Sequence, residues 1–133
     1  MVNTLVYEDQ WIKVRYNEED EYVYHTFLQP IGGKPFQNGL NIGLDTLATK
    51  KAIKWLSDDR LNAEFEQADI EFAVADWGPR ARKVGWKFWA LVVPESVAGR
   101  ASMQAIVETF FNMGVRVRIF TKVEDAQRWL VAQ

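Results

Sequence analysis

Chemistry-bearing residues concentrate in one short phrase. Ser57, Asp58, Asp59 and Arg60 close the apolar run IKWLSD at positions 53–58. Hard cations take carboxylate oxygens, so the acidic pair suits a Mg²⁺ site for phosphoryl transfer. Three other readings stand beside it. Asp58 or Asp59 caps a backbone turn and pairs with Arg60, as Asp does in many loops. Ser57 or a nearby hydroxyl accepts a phosphoryl group, or the loop meets a protein partner, in a regulatory surface. The last reading is a small-ligand site. A metal site asks for a third carboxylate and a lysine after other strands. Glu95 and Lys122 stand after the apolar runs WKFWALVV and VRVRIF, but three strand-like segments precede the acidic pair, whereas a phosphoryl-accepting receiver domain places its pair after the first strand.

A second cluster lies in ADWGPRARKVGW, residues 75–86. Asp76 and Arg80 have the i,i+4 spacing of a helical ion pair, worth about 0.2–0.5 kcal/mol. They read as a solvated face, unless the break at Pro79 turns Arg80 toward Ser57–Arg60 and builds a carboxylate–guanidinium cluster. His25 is the only histidine. With no cysteine and no clear acidic partner in the sequence, it reads as a strand residue and not as a metal ligand.

Composition narrows the classes. The chain has 133 residues, 48% hydrophobic and 26% charged, with a formal net charge of −2. That length suits one domain over residues 1–133 with its own core, and the composition is that of an ordered globular protein. A slightly acidic chain without Lys/Arg runs offers no general field for a nucleic-acid backbone. No cysteine is present, which removes disulfides, thiolate metal ligands and a Cys nucleophile. The first residues, MVNTLVYEDQ, lack a basic region followed by an apolar core, and no apolar run reaches membrane-spanning length. A cytoplasmic location is expected, with no metal or cofactor.

The elements that position these residues follow from periodicity. WIKVRY (11–16) and EYVYHTFL (21–28) alternate and flank the polar turn NEED, which predicts a hairpin. TLVY (4–7) adds a short strand, and Pro30, Gly32 and Gly33 end the all-β portion. Phe36, Leu40, Leu44 and Leu47 then share one face of a helix over 35–50. Gly39 and Gly43 on it let the helix lie close to a sheet. After the strand IKWLSD comes a stripe from Ile70 to Val84, interrupted by Pro79, which must kink or restart the helix near Trp77 and Gly78. WKFWALVV (86–93) is apolar on both faces and predicts a central strand. A helix over Gly99–Met113, an edge strand VRVRIF (115–120) and a last helix opened by a Thr121/Glu124 capping box complete the chain. Six tryptophans are mostly core material, and Trp129 on the last helix is a candidate interface residue. The alternation predicts an α/β fold whose mixed, mostly parallel sheet is entered through an N-terminal antiparallel hairpin and flanked by helices.

The strands near the N-terminus, KWLSDDR, DWGPRARKVGW with its W-x-P-R-A, WALVVP and EDAQRWL run in one order from about residue 21 to 131. On these phrases the chain resembles the SpoIIAA-like, STAS-related family of small bacterial domains. The resemblance implies a mixed sheet flanked by helices and no catalytic residues. STAS domains of the anti-sigma antagonist type bind a kinase and are switched by serine phosphorylation at the start of a helix after a strand. The comparable place here is the Ser57–Arg60 turn, where the usual D-S-S-G or D-S-T-G phrase is absent and two carboxylates already stand. Similarity in fold to CRAL-TRIO lipid-transfer domains implies an alternative, a small apolar ligand or lipid between helix and sheet. The expectation is therefore a non-catalytic regulatory or protein-interaction domain acting through the loops at the strand carboxyl ends. Ser57, Asp58, Asp59, Arg60, Asp76 and Arg80 are its candidate residues, with a protein partner, a homodimer among the expected states, and neither nucleic acid nor stable membrane insertion.

Overall fold

The computed structural model describes residues 3–133. The chain opens with β1 (Asn3–Glu8), β2 (Ile12–Asn17) and β3 (Tyr22–Phe27), paired antiparallel in that order. Two short-range devices set the β2–β3 turn. Asn17 Oδ1 accepts from the Asp20 N–H at 2.6 Å, and Glu21 takes a positive φ of 60°. β4 (Lys54–Asp58), β5 (Phe88–Val92) and β6 (Arg116–Phe120) then add one after another, each parallel to its neighbour, so the sheet order is the chain order. This is the α/β architecture with a mixed sheet that the alternation predicts.

The segments between parallel strands are helical. α1 (Gly33–Lys50) joins β3 to β4. α2 (Gln67–Glu71), a π-helical segment Phe72–Trp77 and α3 (Gly78–Lys83) form a continuous run between β4 and β5. The π segment is the structural answer to Pro79, which has no N–H and would clash with the carbonyl four residues back. There the backbone widens, and Gly78 N–H bonds to Ala73 O, five residues earlier. The restart near Trp77 and Gly78 is as expected. The helix predicted over Gly99–Met113 is instead two, α4 (Val97–Ser102) and α5 (Gln104–Asn112). Ser102 Oγ donates back to Gly99 O at 2.8 Å, a local bond that competes with helix continuation. α6 (Val123–Val131) closes the chain, but without the Thr121/Glu124 box. Its N-cap is Lys122, and no side chain caps it.

Burial divides the molecule at the sheet. On one face, side chains of α1, the π segment, α3 and α5 pack with Ile12, Val14, Val23, Phe27, Trp55, Trp89 and Leu91. On the other, among the described residues, α6 alone covers the sheet, setting Val123, Ala126 and Leu130 on Tyr22, Tyr24, Leu56, Ala90 and Val92. β5 is thus covered on both faces, as its composition requires. Trp129 is half-buried against Phe88 and Phe120. Ile119 on the edge strand β6 is half exposed.

The larger face is crowded with rings. Trp55, Trp77, Trp86, Trp89 and Phe110 meet mostly edge to face, at centroid separations such as 5.1 Å for Trp55–Trp77 and 5.7 Å for Trp86–Trp89. Each of the four buried indole N–H groups has an acceptor: His25 Nδ1, Leu40 O, Phe88 O and Ser57 Oγ, for Trp55, Trp77, Trp86 and Trp89 in turn. Gly43 lets α1 approach this cluster, since a Cβ there would stand 2.3 Å from Trp55 Cη2. The Trp55 ring is held by Trp77, Trp86 and His25. Gly43→Ala therefore destabilises the fold by about 1–3 kcal/mol from overpacking, although Ala is the better helix former by about 1 kcal/mol. Urea unfolding checks the sign, and a more stable Gly43→Ala chain would refute the close packing.

Candidate functional site

The acidic phrase ends β4 at the carboxyl edge of the parallel strands, where open α/β sheets carry their functional crevice. Backbone pairing continues past the strand. Asp59 N–H donates to Val92 O at 3.0 Å, and Glu95 N–H donates to Arg60 O at 3.2 Å, so the β4 and β5 loops are tied together. Strand alternation then separates the two carboxylates, because successive side chains point to opposite faces.

Asp58 faces the α6 side with Leu56. Its two oxygens accept from Arg60 Nε and Nη2, both at 2.9 Å, and Oδ1 also accepts the Arg60 backbone N–H. This is the turn-capping, Arg60-paired arrangement weighed above. Asp59 faces the other side, 2% exposed, with Oδ1 2.7 Å from His25 Nε2. Ser57, 3% exposed, shares that face and accepts from Trp89 Nε1 at 2.8 Å. Ser57, Asp58 and Asp59 are thus buried and do not form an exposed regulatory loop, because the strand pairing extends over them.

Arg80 does not join the phrase. Its Nε bonds Asp76 Oδ1 at 3.0 Å and its Nη2 bonds Asn41 Oδ1 at 2.8 Å, so the Asp76/Arg80 pair is an exposed i,i+4 contact against α1. The π segment absorbs the effect of Pro79 within the helix, and Arg80 keeps to the outer surface. Among the described residues no group of three or more ligating side chains is placed to hold a metal ion. No described helix is long and apolar enough to cross a membrane.

The acidic partner of His25 is what sequence reading misses. Parallel pairing sets His25 beside Ser57 and Val23 beside Trp55, which brings the imidazole between Trp55 and Asp59. Trp55 Nε1–H donates to His25 Nδ1 at 2.9 Å. An indole nitrogen is donor only, so the imidazole proton sits on Nε2 and is given to Asp59. Both ring nitrogens are then engaged, and neither is free to take a proton from Ser57, so the Ser–His–Asp composition is not a nucleophilic triad. The one local signal is the alternation Val23, His25, Phe27 against Trp55, Ser57, Asp59, which sets both polar groups on core faces.

These groups line a cavity of about 40 Å³ between the sheet and the helices, walled by rings that include Trp55, Trp77, Trp86 and Trp89. Burial there pushes the Asp59 carboxyl above its usual range. The hydrogen bond from His25 works the other way, and the neighbouring Asp58 charge adds to the rise.

Scans against protein-family models, curated proteins and solved structures return no match for the chain.

The raised Asp59 value fixes a pH dependence. Between the unfolded carboxyl pKa of about 3.9 and the higher folded one, the native state binds more protons than the unfolded state, so stability falls as pH rises through that window. Asp59→Asn lacks this fall. The stability difference between the two chains, from urea unfolding at a series of pH values upward from about 4, therefore shifts toward the variant as pH increases. A difference that does not vary with pH contradicts a titrating buried Asp59.

Proposed function

We propose that the protein is a non-catalytic, cytoplasmic regulatory domain that binds a protein partner through the loops at the carboxyl edge of its sheet, of the SpoIIAA-like, STAS-related kind that its sequence resembles. The observation that carries this reading is an exposed apolar pair. Leu61 is 53% and Val97 82% exposed, and both stand on that edge, in the loop after β4 and at the start of α4. The Arg60–Glu95 backbone bond ties the two segments. A Cβ on Gly99 would lie 3.3 Å from Ala63 O, so the segments also run close beyond that bond. Apolar side chains exposed on two joined loops, flanked by Arg60 and Glu95, have the anchor-and-rim composition of small protein interfaces.

The competing readings have less support. A lipid or other sizeable apolar ligand needs an enclosed apolar pocket of about 300 Å³ or more; the cavity beside His25 is far smaller, and the larger surface grooves carry polar and charged side chains such as Asp9 and Lys34, Glu64 and Glu66, or Asp45 and Lys50. The Mg²⁺-dependent reading needs Asp58 and Asp59 to converge, and they diverge to opposite faces, one holding Arg60 and the other His25. A serine switch at Ser57 would require its hydroxyl to leave Trp89. The orderly run from an antiparallel hairpin into helix–strand units favours the family resemblance.

The test places a photo-crosslinking side chain at position 95, which flanks the apolar pair, of the full chain in its native cell and maps the adducts. A partner crosslinked there is expected to be lost in the Leu61→Glu/Val97→Glu double variant and retained in Val84→Glu, which changes an exposed valine at the end of α3. Substitution at these exposed positions should alter stability by no more than about 0.5 kcal/mol, so unfolding curves separate loss of contact from loss of fold. Equal crosslinking in the double variant would defeat the proposal.

A further inference from the structure

The cavity beside His25 holds a buried carboxylate that no described lysine or arginine faces. His25 holds its proton on Nε2, because Trp55 Nε1–H occupies Nδ1. With Nδ1 taken by that indole N–H, the imidazole meets Asp59 through its Nε2–H. Arg60, the nearest guanidinium in sequence, is bound to Asp58 on the opposite face of the sheet. Among the described residues no lysine or arginine lines the cavity. An ionised Asp59 then has no lysine or arginine beside it among the lining residues, and buried charges are stable only when paired.

What surrounds it suits a cation of one kind. The walls carry the rings of Trp55, Trp86, Trp89 and Phe65 among others, and aromatic faces attract ammonium groups, most strongly when the cation is desolvated. Ser57 Oγ accepts one bond from Trp89 and keeps a second lone pair for another donor. A hard metal ion asks for six or more oxygens, whereas Asp59 and Ser57 are the only lining side chains that bring any. The cavity of about 40 Å³ exceeds the roughly 10–15 Å³ that admits one water and is far too small for a drug-sized molecule. That limits the ligand to a few non-hydrogen atoms.

We propose that this cavity is a binding site for a small alkylammonium cation, paired with the Asp59 carboxylate, accepted by Ser57 Oγ and enclosed by the tryptophan rings. Two of the buried lining residues come from segments outside the sheet. Phe65 belongs to the irregular loop after β4 and Met103 to the α4–α5 junction, and a bond of 3.0 Å from Phe65 N–H to Ser102 Oγ ties the two segments. This site is independent of the rim contact proposed above and stands or falls separately from it.

Titration of the ¹⁵N-labelled full chain with methylammonium chloride, followed at the indole N–H resonances, tests the assignment. Methanol serves as the neutral ligand of equal heavy-atom count and potassium chloride as the salt control. Saturable shifts at Trp55 and Trp89 are expected with methylammonium alone, with Trp11 and Trp129, which do not line the cavity, unmoved. Asp59→Asn should weaken binding about tenfold or more, because removing one partner of a desolvated charge pair costs at least that much. Should Asp59→Asn fail to fold, the contrast between methylammonium and methanol in the unaltered chain decides the matter. No saturable shift, equal shifts with methanol, or undiminished binding by a folded Asp59→Asn chain would each overturn the proposal.

Discussion

The arrangement rests on the register in which β4 lies against β3. With His25 opposite Ser57 and Val23 opposite Trp55, the imidazole falls between an indole donor and a carboxylate acceptor. Side chains alternate with a period of two, so a slip of one residue would send every β4 side chain to the other face. Trp55 would leave the aromatic cluster, Asp59 would leave His25, and Leu56 would face the tryptophans instead of α6. Two unlike requirements hold the register. One is the burial of Trp55, 1% exposed. The other is the need of its N–H, and of the polar groups beside it, for partners in a dry interior.

Helical coverage is unequal for a topological reason. Strands that add in chain order, with connections of one hand, carry their helices to the same face. α1, the π segment, α3 and α5 accordingly build one thick layer, and among the described residues the opposite face is left to α6. This explains the two apolar clusters and their different sizes, and why the buried polar groups lie on the thicker side. A polar network costs least where it is completely satisfied and kept from competing water, and the larger layer supplies that enclosure. Among the described residues no helix packs on the outer face of β1 and β2. Arg15 there lies over the Tyr24 ring at 4.9 Å, a cation–π contact that shields the ring while leaving the charge in water.

Much of the fold is legible in the sequence because its signals are local. The hairpin, the spacing of Phe36, Leu40, Leu44 and Leu47, and the doubly apolar β5 each announce their element. Pro79 marks the irregular turn, though not that it widens into a π segment. Failures occur where a local pattern meets a tertiary contact. Ser102 sits within a helical stripe, yet its hydroxyl serves both Gly99 O and the Phe65 N–H and divides the helix. Thr121 and Glu124 have capping-box spacing, but the helix starts after Lys122. For the site, the edge that carries Ser57–Arg60 is legible and the partner of Asp59 is not. His25 and Asp59 are 34 positions apart in the chain, and the register that joins them is set by packing, which no local pattern encodes.

Two adjacent carboxylates at a strand end look like a single acidic site only when the pleat is ignored. Backbone pairing of Asp59 with Val92 prolongs the extended conformation past β4, and that prolongation assigns the neighbours to different environments. Asp58 meets a guanidinium at the solvent edge and fixes the path of the rim. Asp59 meets the His25 imidazole in the interior. The same few residues therefore shape the exposed loop that carries Leu61 and the cavity that contains Asp59. Because Arg60 lies between them, held by Asp58 on its side chain and by Glu95 on its backbone, the rim and the interior share one rigid piece of chain while presenting opposite chemistries.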